Sequence, residues 1–138
     1  MNSLLVPLLM TAALSGEWQL AGLIYKGSEI QLPSPELNLR WSFYPNGTER
    51  LYWDRGTEAF CESFANYQLK NGFLESETFA LNPQNDPSCA KDPDMQLGRK
   101  TKTKIEIQES KILLHLQLGD EELIYVLKEA RSHSVTPF

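Results

Sequence analysis

The chain has 138 residues, which suits a single domain and is long enough to bury a core without help from a metal ion. It carries 13 Lys and Arg against 18 Asp and Glu, so its formal net charge is −5. A mildly acidic protein repels nucleic-acid phosphates and anionic lipid surfaces, and this balance therefore argues against a nucleic-acid partner.

The first fifteen residues have the pattern of an export signal. They contain no charged side chain, and their apolar core is too short for a bilayer, which needs about 20 residues. Ala13, Leu14 and Ser15 form a small-x-small cleavage site. We predict a signal peptide over residues 1–15, a mature domain over 16–131 and a tail over 132–138, with the protein in the periplasm or outside the cell and no membrane segment after cleavage. The alternative is that residues 1–15 form an apolar first strand or helix of the domain.

Apolar and polar residues alternate through most of the chain after residue 16, which is the period of half-buried strands. Asn46-Gly47 and Asn71-Gly72 are typical of tight hairpin turns, since both residue types tolerate positive φ. Residues 82–98 are rich in Pro and Asp and are interpreted as a loop. The predicted strands cover residues 18–25, 37–44, 48–54, 59–70, 73–81, 101–108, 111–118 and 121–128.

Eight short strands joined mostly by tight turns predict an all-β fold, an eight-stranded antiparallel up-and-down barrel. Closure into a barrel removes the exposed edges that an open sheet would leave. A barrel of eight strands can be filled by its own side chains or can hold one small ligand. A β-sandwich built from the same strands is the alternative.

Cys61 and Cys89 are the chain's two cysteines, and an even count in an exported protein predicts a disulfide. Its closure would stabilise the fold by about 3–4 kcal/mol in the chain-entropy model. The rival interpretations are a metal pair and a nucleophile. Two thiols cannot complete a zinc site alone, and neither histidine lies at a ligand-like spacing. We therefore predict no metal and no cofactor.

The start of the first strand, Gly16-Glu17-Trp18, resembles the Gly-x-Trp signature of the lipocalins. The mature length, the eight strands and the single disulfide also resemble the lipocalins and the wider calycin superfamily, especially short bacterial-type members. The resemblance implies a barrel that binds small apolar molecules. It also implies that an arginine after the last strand packs on the tryptophan and closes one end, and Arg131 is the matching residue.

No motif of nucleophilic, zinc-protease or phosphate-loop chemistry occurs, so we predict that the protein is not an enzyme. His115 is out of phase with Leu114 and Leu116 and is expected to face outward, and His133 lies in the tail.

Aromatic side chains are the best functional indication, because ligand pockets are lined by such residues. The main hypothesis is an exported monomer whose barrel binds a small apolar ligand. The alternative is a filled barrel that acts through its surface loops as an inhibitor or protein-interaction module, with the rings as core. The predicted ligand-binding residues are Trp41, Phe43, Trp53, Phe64, Phe79 and Tyr125.

Overall fold

The computed structural model describes residues 14–32 and 36–130. These residues form nine strands and two short 3₁₀ helices, Pro87–Lys91 and Pro93–Met95. The strands are β1 (Gly16–Tyr25), β2 (Ser28–Ile30), β3 (Asn38–Phe43), β4 (Thr48–Asp54), β5 (Phe60–Lys70), β6 (Phe73–Leu81), β7 (Lys100–Ile107), β8 (Lys111–Leu118) and β9 (Glu121–Glu129).

Eight of these strands close into an antiparallel barrel. The hydrogen-bonded order runs β1-β3-β4-β5-β6-β7-β8-β9, and β9 pairs back onto β1 with Leu20 opposite Leu127. The first half of β1 pairs with β3, whereas its second half pairs with the short β2. The predicted barrel is confirmed, and the sandwich alternative is excluded by the β1–β9 pairing.

The hairpin turns follow from local backbone chemistry. Asn71 and Gly72 join β5 to β6 with φ of 55° and 80°, the left-handed conformation that a two-residue hairpin requires. At the β3–β4 turn Gly47 has φ of 88°, and the Asn46 side chain accepts a 3.0 Å hydrogen bond from the Thr48 amide. These two turns set the register of β3 with β4 and of β5 with β6.

Large apolar side chains fill one end of the barrel, which we call the floor and define by Trp18, Phe43, Tyr67, Ile112 and Leu127. The rings of Phe43 and Tyr67 meet edge to face with centroids 5.2 Å apart. The Trp18 indole N–H donates a 2.7 Å hydrogen bond to the carbonyl of Leu14, which is itself fully buried. The floor therefore seals the end at which β1 begins.

The connection between β6 and β7, residues 82–99, lies over the opposite end, and we call it the covering loop. A Cys61–Cys89 disulfide ties it to β5, with the Cα atoms 5.7 Å apart, so the predicted disulfide is confirmed. Cys89 and Met95 pack with Leu51 and Cys61 in a second apolar cluster. Each 3₁₀ helix begins at a proline and is capped by an aspartate carboxylate that accepts a backbone N–H bond.

Some of the predicted features fall on residues outside the described part of the chain. They are residues 1–13 of the predicted signal peptide, Arg131 and His133, so the predicted Trp18–Arg131 contact lies outside the described residues. Within residues 14–32 and 36–130, no helix has the length and apolar character that a membrane span needs.

Candidate functional site

Between the floor and the covering loop, the barrel contains a partly open cavity of about 560 Å³. That volume falls within the range of roughly 300–1,000 Å³ typical of small-molecule sites. The strand period of two brings alternate side chains of β3 to β9 to its wall. Its apolar lining includes Trp41, Leu51, Ala65, Leu114, Leu116 and Tyr125, and its hydroxyl lining includes Ser63, Ser76, Thr78, Thr101 and Thr103.

One carboxylate lies inside this cavity. Glu49 is on β4, on the same face as Leu51, and is only 5% exposed. The Trp41 indole N–H donates a 2.7 Å hydrogen bond to one of its oxygens, and the Ser76 hydroxyl donates to the other. Burial raises the pKa of Glu49, and the bonds from Ser76 and Trp41 act in the opposite direction.

The covering loop contributes a second carboxylate to the cavity wall, and this one has a cation beside it. Asp94 Oδ1 lies 3.6 Å from the guanidinium Nε of Arg99, and both residues line the cavity. The Asp94 side chain is 55% exposed, so its burial is only partial. That partial burial raises the pKa of Asp94, the charge of Asp92 adds to the effect, and Arg99 opposes it. Burial also raises the pKa of Tyr125, as do the charges of Asp94 and Asp92.

A buried glutamate on the outer face provides a contrast within the same chain. Glu62 is 8% exposed and forms a salt bridge with Arg50. It also accepts a 2.8 Å hydrogen bond from the side-chain amide of Asn82. This carboxylate has a guanidinium partner, as buried charges usually do. Glu49 has only the uncharged indole and hydroxyl donors.

Comparison of the whole fold with solved structures finds two similar proteins. One is a lipocalin-like protein from Bacteroides uniformis ATCC 8492, with a TM-score of 0.59 and 20% identity over 86% of this chain and 99% of that one. The chain has a lipocalin-like fold. The second is an uncharacterized protein from Bacteroides eggerthii DSM 20697, with a TM-score of 0.55 and 17% identity over 85% of this chain and 99% of that one. No protein-family model and no curated protein matches the chain.

The lipocalin-like barrel brings two of the six predicted ligand residues to the cavity, Trp41 and Tyr125. Phe43 lies in the floor, where it is part of the packed core. Trp53 packs against the second apolar cluster, and its indole N–H donates a 2.9 Å hydrogen bond to Asp92 on the covering loop. These two rings support the cavity's ends and are not part of its lining.

The other two predicted ligand residues need correction, because the structure places them outside the barrel. Phe64 is opposite Arg50 and shares the outer face with it, in antiphase to the buried Ala65. Phe79 is the extra residue of a β-bulge, since Phe64 pairs with Ala80 and Ala65 pairs with Thr78. As a result Phe79 is 52% exposed.

Sequence reasoning missed the polar residues of the cavity, above all Glu49. A signal for it was present, because Glu49 is in phase with Leu51 and Trp53 on β4 and so is a charged residue at an inward position. Asp94 and Arg99 could not be found in this way, because the covering loop has no regular period. His115, expected to face outward, borders the cavity, and its ring lies beside Glu106 and Glu122 on the neighbouring strands.

Proposed function

We propose that this lipocalin-like barrel is an exported monomer that binds one small, largely apolar ligand in its interior. The observation that carries the proposal is the cavity of about 560 Å³, which separates a packed floor from the covering loop. A barrel filled by its own side chains leaves no such space. Trp41 and Tyr125 supply aromatic surface, and a few hydroxyl groups supply directional contacts, which is the usual make-up of a ligand site.

Export is part of this proposal. The Cys61–Cys89 disulfide supports it, because such bonds persist mainly in oxidising compartments such as the periplasm and the extracellular space. The uncharged, apolar pattern of residues 1–15 supports it as well.

Binding, rather than catalysis, fits the lining of the cavity. Most of its inward side chains are apolar or carry Ser and Thr hydroxyls. His115, the one histidine among the described residues, borders the cavity, but its ring nitrogens lie beside Glu106 and Glu122.

A probe that reports apolar surroundings tests the proposal. Thr103 is a half-buried lining residue of β7, and the next residue, Lys104, is exposed. We expect N-phenyl-1-naphthylamine, uncharged at neutral pH, to bind and fluoresce with the wild type and with Lys104→Phe. Thr103→Phe places a ring in the space that the probe would occupy. The probe and the ring would then compete for one volume, at a cost of about 1–3 kcal/mol, so binding should weaken by about tenfold or more.

Fluorescence titration of the three proteins separates the two functions under consideration. No binding by the wild type, or equal affinity of the two phenylalanine variants, would contradict an interior site. Either result would favour the filled barrel that acts through its surface loops.

A further inference from the structure

We propose that the ligand is an amphipathic amine, an apolar body with one protonated nitrogen, and that Glu49 binds this nitrogen inside the barrel. The inference rests on the proposed function and specifies its ligand class. It comes from the charge and the contacts of Glu49 rather than from the fold.

Glu49 lacks a cationic partner of its own. None of the ion pairs among the described residues includes it, although it is among the most buried charged side chains there. A buried carboxylate without a cation is costly, and proteins normally pair or neutralise such a group. The chain does so for Glu62, which has Arg50 beside it.

The position of Glu49 leaves room for a cation from outside. Its carboxylate lines the cavity, and each oxygen accepts one hydrogen bond from the protein, from Trp41 or from Ser76. A carboxylate has about four acceptor sites, and an ammonium group has three donors. The two protein bonds therefore hold the carboxylate in place and leave further acceptor sites for a ligand.

The remaining lining fits an amine with an apolar body. Trp41 and Tyr125 line the same space, and aromatic rings attract cations as well as apolar groups. Leu114 and Leu116 provide aliphatic surface. The second carboxylate, Asp94, already has Arg99 beside it. Lys100 and Lys102 also border the cavity, but both are exposed, and no ion pair among the described residues joins either of them to Glu49.

Three probes with the same alkyl chain test the head group: octylamine, octanol and octanoate. Each displaces N-phenyl-1-naphthylamine from the wild type, Glu49→Gln and Glu77→Gln. The first variant keeps the shape of the side chain and loses its charge. Its amide oxygen can still accept from Trp41, and its amide N–H can donate to the Ser76 hydroxyl. Glu77→Gln is the matched control, because Glu77 is an exposed carboxylate on β6.

We expect octylamine to bind the wild type and Glu77→Gln about tenfold or more tightly than octanol, because charge-assisted hydrogen bonds are the stronger kind. In Glu49→Gln this preference should fall to within about twofold, whereas Glu49→Asp, which keeps the charge, should retain part of it.

Equal binding of octylamine and octanol by the wild type, a preference for octanoate, or a preference that survives in Glu49→Gln would overturn the inference. If octylamine, octanol and octanoate bind the wild type with equal affinity, only the proposed ligand class is wrong. If no probe binds the wild type, the proposed function fails with it.

Discussion

At the scale of single residues, the buried charge of Glu49 lowers the stability of the fold and, in the proposed function, binds the ligand. Its surroundings are the cavity, the Trp41 indole and the Ser76 hydroxyl, all uncharged, with Tyr67 in the floor nearby. Of the other charged residues at the cavity wall, Asp94 and Arg99 pair with each other, and none of the ion pairs among the described residues includes Glu49. A residue kept only for stability would have no reason to be charged in this position.

Replacing Glu49 by Gln should therefore stabilise the unliganded protein near neutral pH. Burial raises the pKa of Glu49 above its unfolded value of about 4.5, so the folded state holds its proton more tightly. The stability gained from this tighter protonation is fully present below the unfolded pKa of Glu49, and it is lost as the pH rises through the folded pKa. We expect Glu49→Gln to gain about 1–3 kcal/mol over the wild type at about pH 7 and much less at about pH 4.

Denaturant midpoints of the wild type, Glu49→Gln and the exposed control Glu77→Gln at these two pH values measure this difference. A glutamine variant that is less stable at neutral pH would show that the carboxylate is structural. A gain that is the same at both pH values would show that it does not come from the charge of Glu49.

The aromatic composition identified Trp41 and Tyr125, but it did not separate them from Phe64 and Phe79. The strand period shows which residues share a face, yet not which face is inward. At Phe79 even the period fails, because the bulge adds one residue to β6 and turns that ring to solvent.

At the scale of elements, the eight long strands could be predicted closely because each is half-buried and shows the period of two. The strand β2 was missed because its three residues are all exposed, so no alternation marks them. The covering loop was recognised as a loop from its prolines and aspartates. Its two 3₁₀ helices were not, since they depend on Asp86 and Asp92 caps and on the burial of Cys89 and Met95.

The residues just before β1 affect what signal-peptide cleavage would do to stability. Cleavage after Ser15 would remove Leu14, which is fully buried, and would leave the Trp18 indole without its carbonyl partner. We expect a chain that begins at Gly16 to be less stable than one that begins at Leu14 by about 2–5 kcal/mol, as for loss of a core leucine. Denaturant unfolding of the two chains measures the difference, and equal midpoints would contradict it.

Sequencing the N-terminus of exported protein then shows which form occurs naturally. A mature protein that begins at Gly16 would confirm the predicted cleavage site. Protein that keeps Met1 and stays in the cytoplasm would contradict the proposed export.

At the scale of the whole molecule, closure of the barrel was predictable from strand number and turn chemistry, but the state of its interior was not. Large residues such as Phe43 and Tyr67 fill the floor, whereas the inward positions of β5 to β7 include small ones. Ser63, Ala65, Ser76 and Thr101 leave the space that the cavity occupies. An uneven distribution of side-chain volume becomes visible only when the register across all eight strands is known.

The three tryptophans provide a direct test of where a ligand binds. Trp41 lines the cavity, and Trp18 lies in the sealed floor. The Trp53 indole N–H donates a hydrogen bond to Asp92 of the covering loop. Their indole N–H groups give separate signals in a ¹H–¹⁵N correlation spectrum, and the Trp41 signal also reports the bond to Glu49. On titration with octylamine, we predict a large, saturable shift of the Trp41 signal and little change at Trp18. An unmoved Trp41 signal in a protein that binds the amine would contradict an interior site.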